Sequence, residues 1–224
     1  MNKTITIFIF LVSLISFVHF ALCQDYYDSD NHYQYTYKIN PHLPDFVFSV
    51  FLDTLESTGE STHRVSKIEI RNSNSMQIIQ TITIPEKSED LPCYGSTSFC
   101  VRDMNFDGYI DILLNYSGGS AGDQFHVWLY NTKSGIFIYD PQFDELWDPA
   151  PDPKRKTITS ICSGGYKNTM KVIYRIENGI LVLLRKEIKT YIDEVNGNKR
   201  WERRVELYKR DKITSVKIDT IKEE

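Results

Sequence analysis

Beyond residue 23 the sequence lacks the roughly 18 consecutive apolar residues that a membrane span requires, so no transmembrane helix is expected in the body of the chain. It also lacks paired C-x-x-C spacings, which excludes the usual tetrahedral zinc sites. Basic residues form no stripe, and the formal net charge is −4, a balance unlike that of a nucleic-acid binder. Gly-Lys-Ser/Thr opening a helix is missing, which weakens any phosphate-loop reading. A sustained 3.6-residue apolar period is absent as well, which argues against a helical bundle.

What is there begins with Lys3, an apolar run from Ile5 to Val18, and Ala21-Leu22-Cys23. That is the layout of a secretory signal peptide, with cleavage after Cys23. Lipid attachment at Cys23 and a retained anchor are the alternatives. All three put the folded part in the periplasm or outside the cell. Removing 1–23 from 224 residues leaves 201, enough for one medium domain. Cys93, Cys100 and Cys162 survive processing, and an oxidising compartment favours a Cys93–Cys100 disulfide across the Tyr94–Phe99 turn.

Residues 24–44, rich in Tyr, Asp, Asn and Pro, read as an extended arm. From Phe46 the chain runs as short stretches of period-two or continuous apolar character: Phe46–Leu52, Val65–Arg71, Gln77–Ile84, Tyr109–Asn115, Phe125–Tyr130, Ile136–Tyr139, Thr157–Cys162, Met170–Ile176, Ile180–Tyr191, Lys199–Lys209 and Ile213–Ile218. Asn178-Gly179, Asn196-Gly197 and Ser134-Gly135 supply hairpin turns. The expected fold is all-β over residues 45–224, a single domain of antiparallel meander or propeller-blade-like sheets with a calcium loop between strands. Pro141–Trp147 is the one expected helical turn, and Pro149, Pro151 and Pro153 enforce an extended connector. The charges of the long C-terminal strands, Arg203 and Arg204 among them, read as a solvated sheet face.

Asp103-Met104-Asn105-Phe106-Asp107-Gly108-Tyr109-Ile110-Asp111 puts oxygen-bearing side chains at loop positions 1, 3, 5 and 9, with glycine at 6. Calcium takes six to eight oxygens, and alternating acidic side chains on a coiled loop converge on one point. The expected ligands are Asp103, Asn105, Asp107, the Tyr109 carbonyl and Asp111. Leu114 at position 12, where an EF-hand carries a bidentate Glu, and strand-like flanks exclude a sensor of that type. The role is structural: the ion holds the neighbouring Ser117–Gln124 loop. A run of Asx turns that cap their own backbone is the plain alternative.

Tyr116-Ser117-Gly118-Gly119-Ser120-Ala121-Gly122-Asp123-Gln124 is too rich in Gly and Ser to be core. It is either a recognition loop or a flexible connection. Together with Trp128-Leu129-Tyr130-Asn131, Phe137…Leu146, Ser160 and Gly179, these segments resemble a family of exported calcium-loop (FG-GAP-like) proteins typified by a Xanthomonas periplasmic immunity protein and similar to periplasmic lysozyme inhibitors. The resemblance spans about Cys93 to Leu184. It implies inhibition of a lysozyme-like peptidoglycan hydrolase by pushing a loop into the active-site cleft. On this chain Tyr116, Ser117, Gly118 and Ser120 would make the contacts. A second element, Ser163-Gly164-Gly165-Tyr166-Lys167, resembles the Ser-Gly-x-Tyr element of such inhibitors, with Tyr166 and Lys167 facing the partner.

Enzyme readings are weaker. His126 lies in an alternating strand and reads as a sheet residue. Cys162-Ser163-Gly164 has no partner histidine nearby for nucleophilic catalysis. Asp144, Glu145 and Asp148 are carboxylates of an exposed turn. Of the tryptophans, Trp128 and Trp147 read as packing and Trp201 as a candidate glycan platform. The expectation is a non-enzyme, with a calcium-dependent adhesin or glycan-binding module as the alternative function.

Overall fold

The computed structural model describes residues 26–28, 32–57, 60–84, 99–195 and 198–222. The signal segment, Cys93 and the Asn196-Gly197 turn lie outside them. Among the described residues fifteen strands form three antiparallel meanders, in each of which hydrogen-bonded neighbours are neighbours in sequence. The first meander holds β1 (Tyr26–Asp28), β2 (His32–Tyr37), β3 (Phe46–Ser57), β4 (Glu60–Asn72) and β5 (Ile78–Thr83). The second holds β6 (Phe99–Arg102), β7 (Asp111–Gly119), β8 (Gly122–Asn131) and β9 (Ile136–Tyr139). The third holds β10 (Ala150–Asp152), β11 (Thr157–Ser163), β12 (Asn168–Glu177), β13 (Ile180–Val195), β14 (Asn198–Lys209) and β15 (Lys212–Lys222). The all-β reading is correct.

The second meander is the middle layer, and β7 shows why. Ile112, Leu113 and Leu114 are all buried, a continuous apolar run rather than an alternating one, because both faces of this strand are covered. Ile112 and Leu114 join Phe46, Phe48, Ile68 and Ile70 of the first sheet in one core. Leu113 points the other way, with Val127, Phe143, Leu146 and Ile158, into a second core against the third sheet. Gln80 ties the first two sheets at their edges. Its side-chain amide donates to the Phe137 carbonyl at 2.7 Å and accepts the Phe137 N–H at 2.8 Å. That satisfies edge groups of β9 that would otherwise invite another strand.

Three local expectations change. The supposed N-terminal arm is in part a strand: Tyr35, Tyr37 and Ile39 alternate with exposed Thr36 and Lys38, and Tyr35 stacks on Phe99. Tyrosines in a period-two pattern were strand-forming material despite the polar residues between them. The helical turn shrinks to a 3-10 turn over Pro141–Phe143. The proline connector contains the edge strand β10, where Pro151 sits opposite Ile158. An edge position tolerates a residue without an N–H.

Turn chemistry follows expectation at Asn178 and Gly179, whose φ angles of 52° and 79° suit a tight hairpin. The β14–β15 hairpin reaches the same geometry with Arg210 and Asp211, at 51° and 58°. No glycine advertises that turn.

Candidate functional site

The Asp103–Asp111 loop is wound by its own side chains. Asp103 Oδ1 accepts from Phe106 N at 2.7 Å and Oδ2 from Gly108 N at 3.0 Å. Asn105 Oδ1 accepts from Asp107 N, and Asp107 Oδ1 from Tyr109 N. Gly108 holds φ +85°, a turn that only glycine makes without strain. Asp111 differs from the others: it is fully buried, and its oxygens accept from Met104 N at 2.7 Å and Tyr130 N at 2.9 Å. Burial pushes its carboxyl up to about 7, and repulsion from Asp107 and Asp103 adds to that against the two amides. The donor set suits a hard, oxygen-seeking cation in kind and charge. The arrangement itself is a chain of Asx turns, and among the described residues no three acidic, His or Cys side chains gather tightly enough to form a metal centre.

The Ser117–Gln124 segment is the far end of a β-hairpin rather than an open loop. Ser117, Gly118 and Gly119 pair with Gln124, Asp123 and Gly122. Only Ser120 and Ala121 make the turn. Between Asn115 and Ser117 the register slips, and the extra residue is Tyr116. A bulge re-aims its side chain. Tyr116 stacks on His126 at 4.1 Å and its hydroxyl donates to the Asp144 carbonyl at 2.6 Å, so that much of this predicted contact residue is turned inward. Gly118 and Ser120 are exposed.

The tip is held by carboxylates and by the second Ser/Gly element. Asp123 N donates to Asp148 Oδ1 at 2.9 Å and Asp148 N to the Asp123 carbonyl at 2.7 Å. A Cβ on Gly118 would lie 2.4 Å from Asp123 Oδ1, and one on Gly122 would lie 2.5 Å from Asp148 Oδ2. Ser163 N donates to the Ala121 carbonyl at 2.9 Å. The two elements, 42 residues apart in sequence where Ala121 meets Ser163, therefore form one surface, with exposed Lys167 beside them in the 3-10 turn Gly165–Lys167.

The Asp103–Asp111 loop is not part of that surface. Asp111 and Gly119 are opposite ends of β7, about 26 Å apart at strand rise. The loop clamps the base of the hairpin through Asp111 and Tyr130 rather than the neighbouring tip.

Beneath the hairpin lies a polar cluster that the sequence reading broke up among separate, unremarkable residues. His126 is fully buried, and its Nδ1 lies 3.1 Å from both Asp144 Oδ1 and the Tyr139 hydroxyl. Tyr139 also donates to Asp144 Oδ2. Burial, and then the Asp144 hydrogen bond, raise the Tyr139 hydroxyl well above its ordinary range. Gln124 Nε2 adds a bond of 3.0 Å to the Asp144 carbonyl. Asp144 is thus no solvated turn carboxylate, since its side chain is 13% exposed. The Pro141–Phe143 turn folds it inward behind Phe143. The spacing from His126 to Asp144 carries no motif, so only the fold brings them together.

Trp128 is buried and Trp147 joins the second sheet to the third, its backbone N–H donating to Ser160 Oγ at 2.9 Å. Cys100 and Cys162 are free thiols, and no disulfide occurs among the described residues. Burial raises the Cys100 thiol.

No protein-family model matches the chain, and no curated protein matches it. One solved structure, described as "Structure of a Xanthomonas Type IV Secretion System related protein", is similar, with a TM-score of 0.47 and 15% identity over 86% of this chain and 85% of that one.

Proposed function

We propose that the protein is an exported, calcium-stabilised binding protein that inhibits a lysozyme-like peptidoglycan hydrolase by inserting the Gly118–Gly122 tip into its active-site cleft. The observation that carries this reading is the bond from Ser163 N to the Ala121 carbonyl, which joins the two Ser/Gly elements into one braced surface. Ser120 at its apex offers a hydroxyl, and the glycines let backbone approach a partner closely. Small polar groups of this kind can hydrogen-bond the paired carboxylates on which glycoside cleavage depends. Ser117 would flank the contact, and Lys167 would face an acidic catalytic side chain, while the Tyr166 side chain lies outside what the structure describes. Tyr116 serves as a strut below the tip.

Calcium would be held by Asp103, Asn105, Asp107, the Tyr109 carbonyl and Asp111, and when bound it supplies positive charge that offsets the mutual repulsion of the carboxylates. The chain's own contribution is the Asp111 clamp, which fixes the start of β7 against Tyr130 of β8.

The experiment is a peptidoglycan-clearing assay with a panel of lysozyme-type hydrolases. At least one enzyme should lose activity in competition with substrate at stoichiometric inhibitor. Full activity across the panel would overturn the proposal.

A further inference from the structure

We infer that the free edge of β15 is a self-association site, at which a second copy of this chain pairs antiparallel with the first and joins their third sheets into one. Edges are the weak points of open sheets, because their outer N–H and C=O groups have no ladder partner. Among the described residues the other five edge strands are short: β1 and β10 have three residues each, β6 and β9 four, and β5 six. β10 also carries Pro151, and Gln80 of β5 occupies the Phe137 backbone groups of β9. β15 has eleven residues, no proline, and among the described residues no strand on its outer side.

Register identifies the occupant. A symmetric antiparallel pair is isologous, and because facing residues share a sheet face, one residue must lie opposite itself. β15 runs in regular register with β14 from Ser215 to Lys222, and the slip between Leu207 and Tyr208 lies just before that run. Centring the pair on Ile218 sets Ser215 opposite Ile221 of the second copy, Val216 opposite Thr220 and Lys217 opposite Asp219, each contact occurring twice. Centring on Lys217 or on Asp219 would set like charges face to face, and centring on Val216 would leave Lys217 against Ser215 and Asp219 against Ile213. Only the Ile218 register puts a lysine opposite Asp219. Lysine on an edge ordinarily discourages pairing, and here it admits one partner in one register. Within the molecule Asp219 already holds Arg203 at 2.6 Å and Lys217 at 3.3 Å. Arg203 is its cross-strand neighbour on the β14 side, and Lys217 of the second copy would stand on the other. Lys217 itself, with its side chain 71% exposed, has apolar Val205 as its β14 neighbour.

On the face opposite to Lys217 and Asp219, Val216 and Ile218 are 46% and 54% exposed. Their β14 neighbours, Glu206 and Arg204, bond to each other at 2.7 Å. Self-pairing brings the two copies of Ile218 together, with each Val216 diagonal to the other copy's Ile218, so four exposed apolar side chains become one strip along the seam. The Ser/Gly surface at the end of β11 lies four strands from this seam, about 19 Å at strand spacing.

The test uses the full chain, followed by light scattering and sedimentation over rising concentration. It should pass from monomer to dimer and no further, since pairing consumes the edge. Ile218→Lys, an exchange on an exposed side chain, should raise the dimer dissociation constant at least tenfold with far-ultraviolet circular dichroism unchanged. Register is read by cysteine pairing under mild oxidation, with the wild-type chain as the blank for its own thiols. Ile218→Cys should cross-link to itself, because facing residues have Cα atoms about 4.5–5.5 Å apart, within disulfide reach. Val216→Cys should not, its two copies lying four residues apart along the seam, about 13 Å, but it should cross-link to Thr220→Cys when the two are mixed. Three results would overturn the inference: a monomer at every concentration, dimerisation of Ile218→Lys as strong as that of the wild type, or self-cross-linking of Val216→Cys as efficient as that of Ile218→Cys. None of these outcomes bears on hydrolase inhibition, which is read with the other surface.

Discussion

Asp123 and Asp148 brace the hairpin tip by exchanging backbone and side-chain bonds across the gap between β8 and the Trp147 connector. Gly122 makes this brace feasible, with φ +122° and no room for a Cβ beside Asp148 Oδ2. Gly122→Ala should therefore cost about 1–3 kcal/mol through backbone strain and displace Asp148. Inhibition should weaken more than the melting temperature falls, and an unaffected inhibition constant would show that the brace is irrelevant to the partner. Asp107→Ala belongs at the other end of β7. Calcium at 100 times its dissociation constant should stabilise the wild-type chain by about 2.7 kcal/mol. The variant should lose that increment, read as the calcium-dependent rise in melting temperature, while keeping its inhibition constant. Equal thermal response in both proteins would leave the loop as a set of Asx turns. At this scale the coiled Asp103–Asp111 turn, with its Asx hydrogen bonds and Gly108, was readable from spacing alone. The inward turn of Tyr116 was not, because a bulge shifts facing by one residue and leaves no mark in composition.

Elements were legible wherever a period or a turn dipeptide declared them. The Ile180–Tyr191 run and the Asn178-Gly179 turn are examples, and the runs around β7 and β8 were found but cut short at the glycines, which continue the ladder instead of ending it. The strand at His32–Tyr37 was missed because its buried residues are mostly tyrosine rather than aliphatic. The long β14–β15 ribbon carries its own pH signature. Arg203 grips Asp219 with two hydrogen bonds of 2.9 and 2.6 Å, and together with Lys217 it holds that carboxyl down at about 2. A depressed carboxylate stabilises the fold above its unfolded value, about 3.9, and that contribution disappears as pH falls through about 2. Acid titration between pH 4 and 2 should therefore loosen this ribbon in the wild type. Asp219→Asn should flatten that part of the stability curve, and an unchanged acid limb would remove the pair from the account.

As a whole the molecule is a three-layered stack of meanders whose middle sheet is covered on both faces. That organisation puts the Asp103–Asp111 loop at one end of the central hairpin and the Ser/Gly surface at the other. Sequence order alone could not supply this, since chain neighbours at 111 and 117 end up at opposed poles of one strand while 121 and 163 meet. Two loops singled out separately from their composition become one surface through a single backbone hydrogen bond. The buried His126–Asp144–Tyr139 cluster beneath them exists only in three dimensions. The most direct test of the central claim is the inhibition constant of Ser120→Arg against a hydrolase that the wild-type protein inhibits, measured beside its melting temperature. An exposed apex residue should change stability by no more than about 0.5 kcal/mol. If the tip enters the cleft, the inhibition constant should rise by about 30-fold, the scale of a hot-spot contact of about 2 kcal/mol. An unchanged inhibition constant with a folded variant would contradict insertion of this tip.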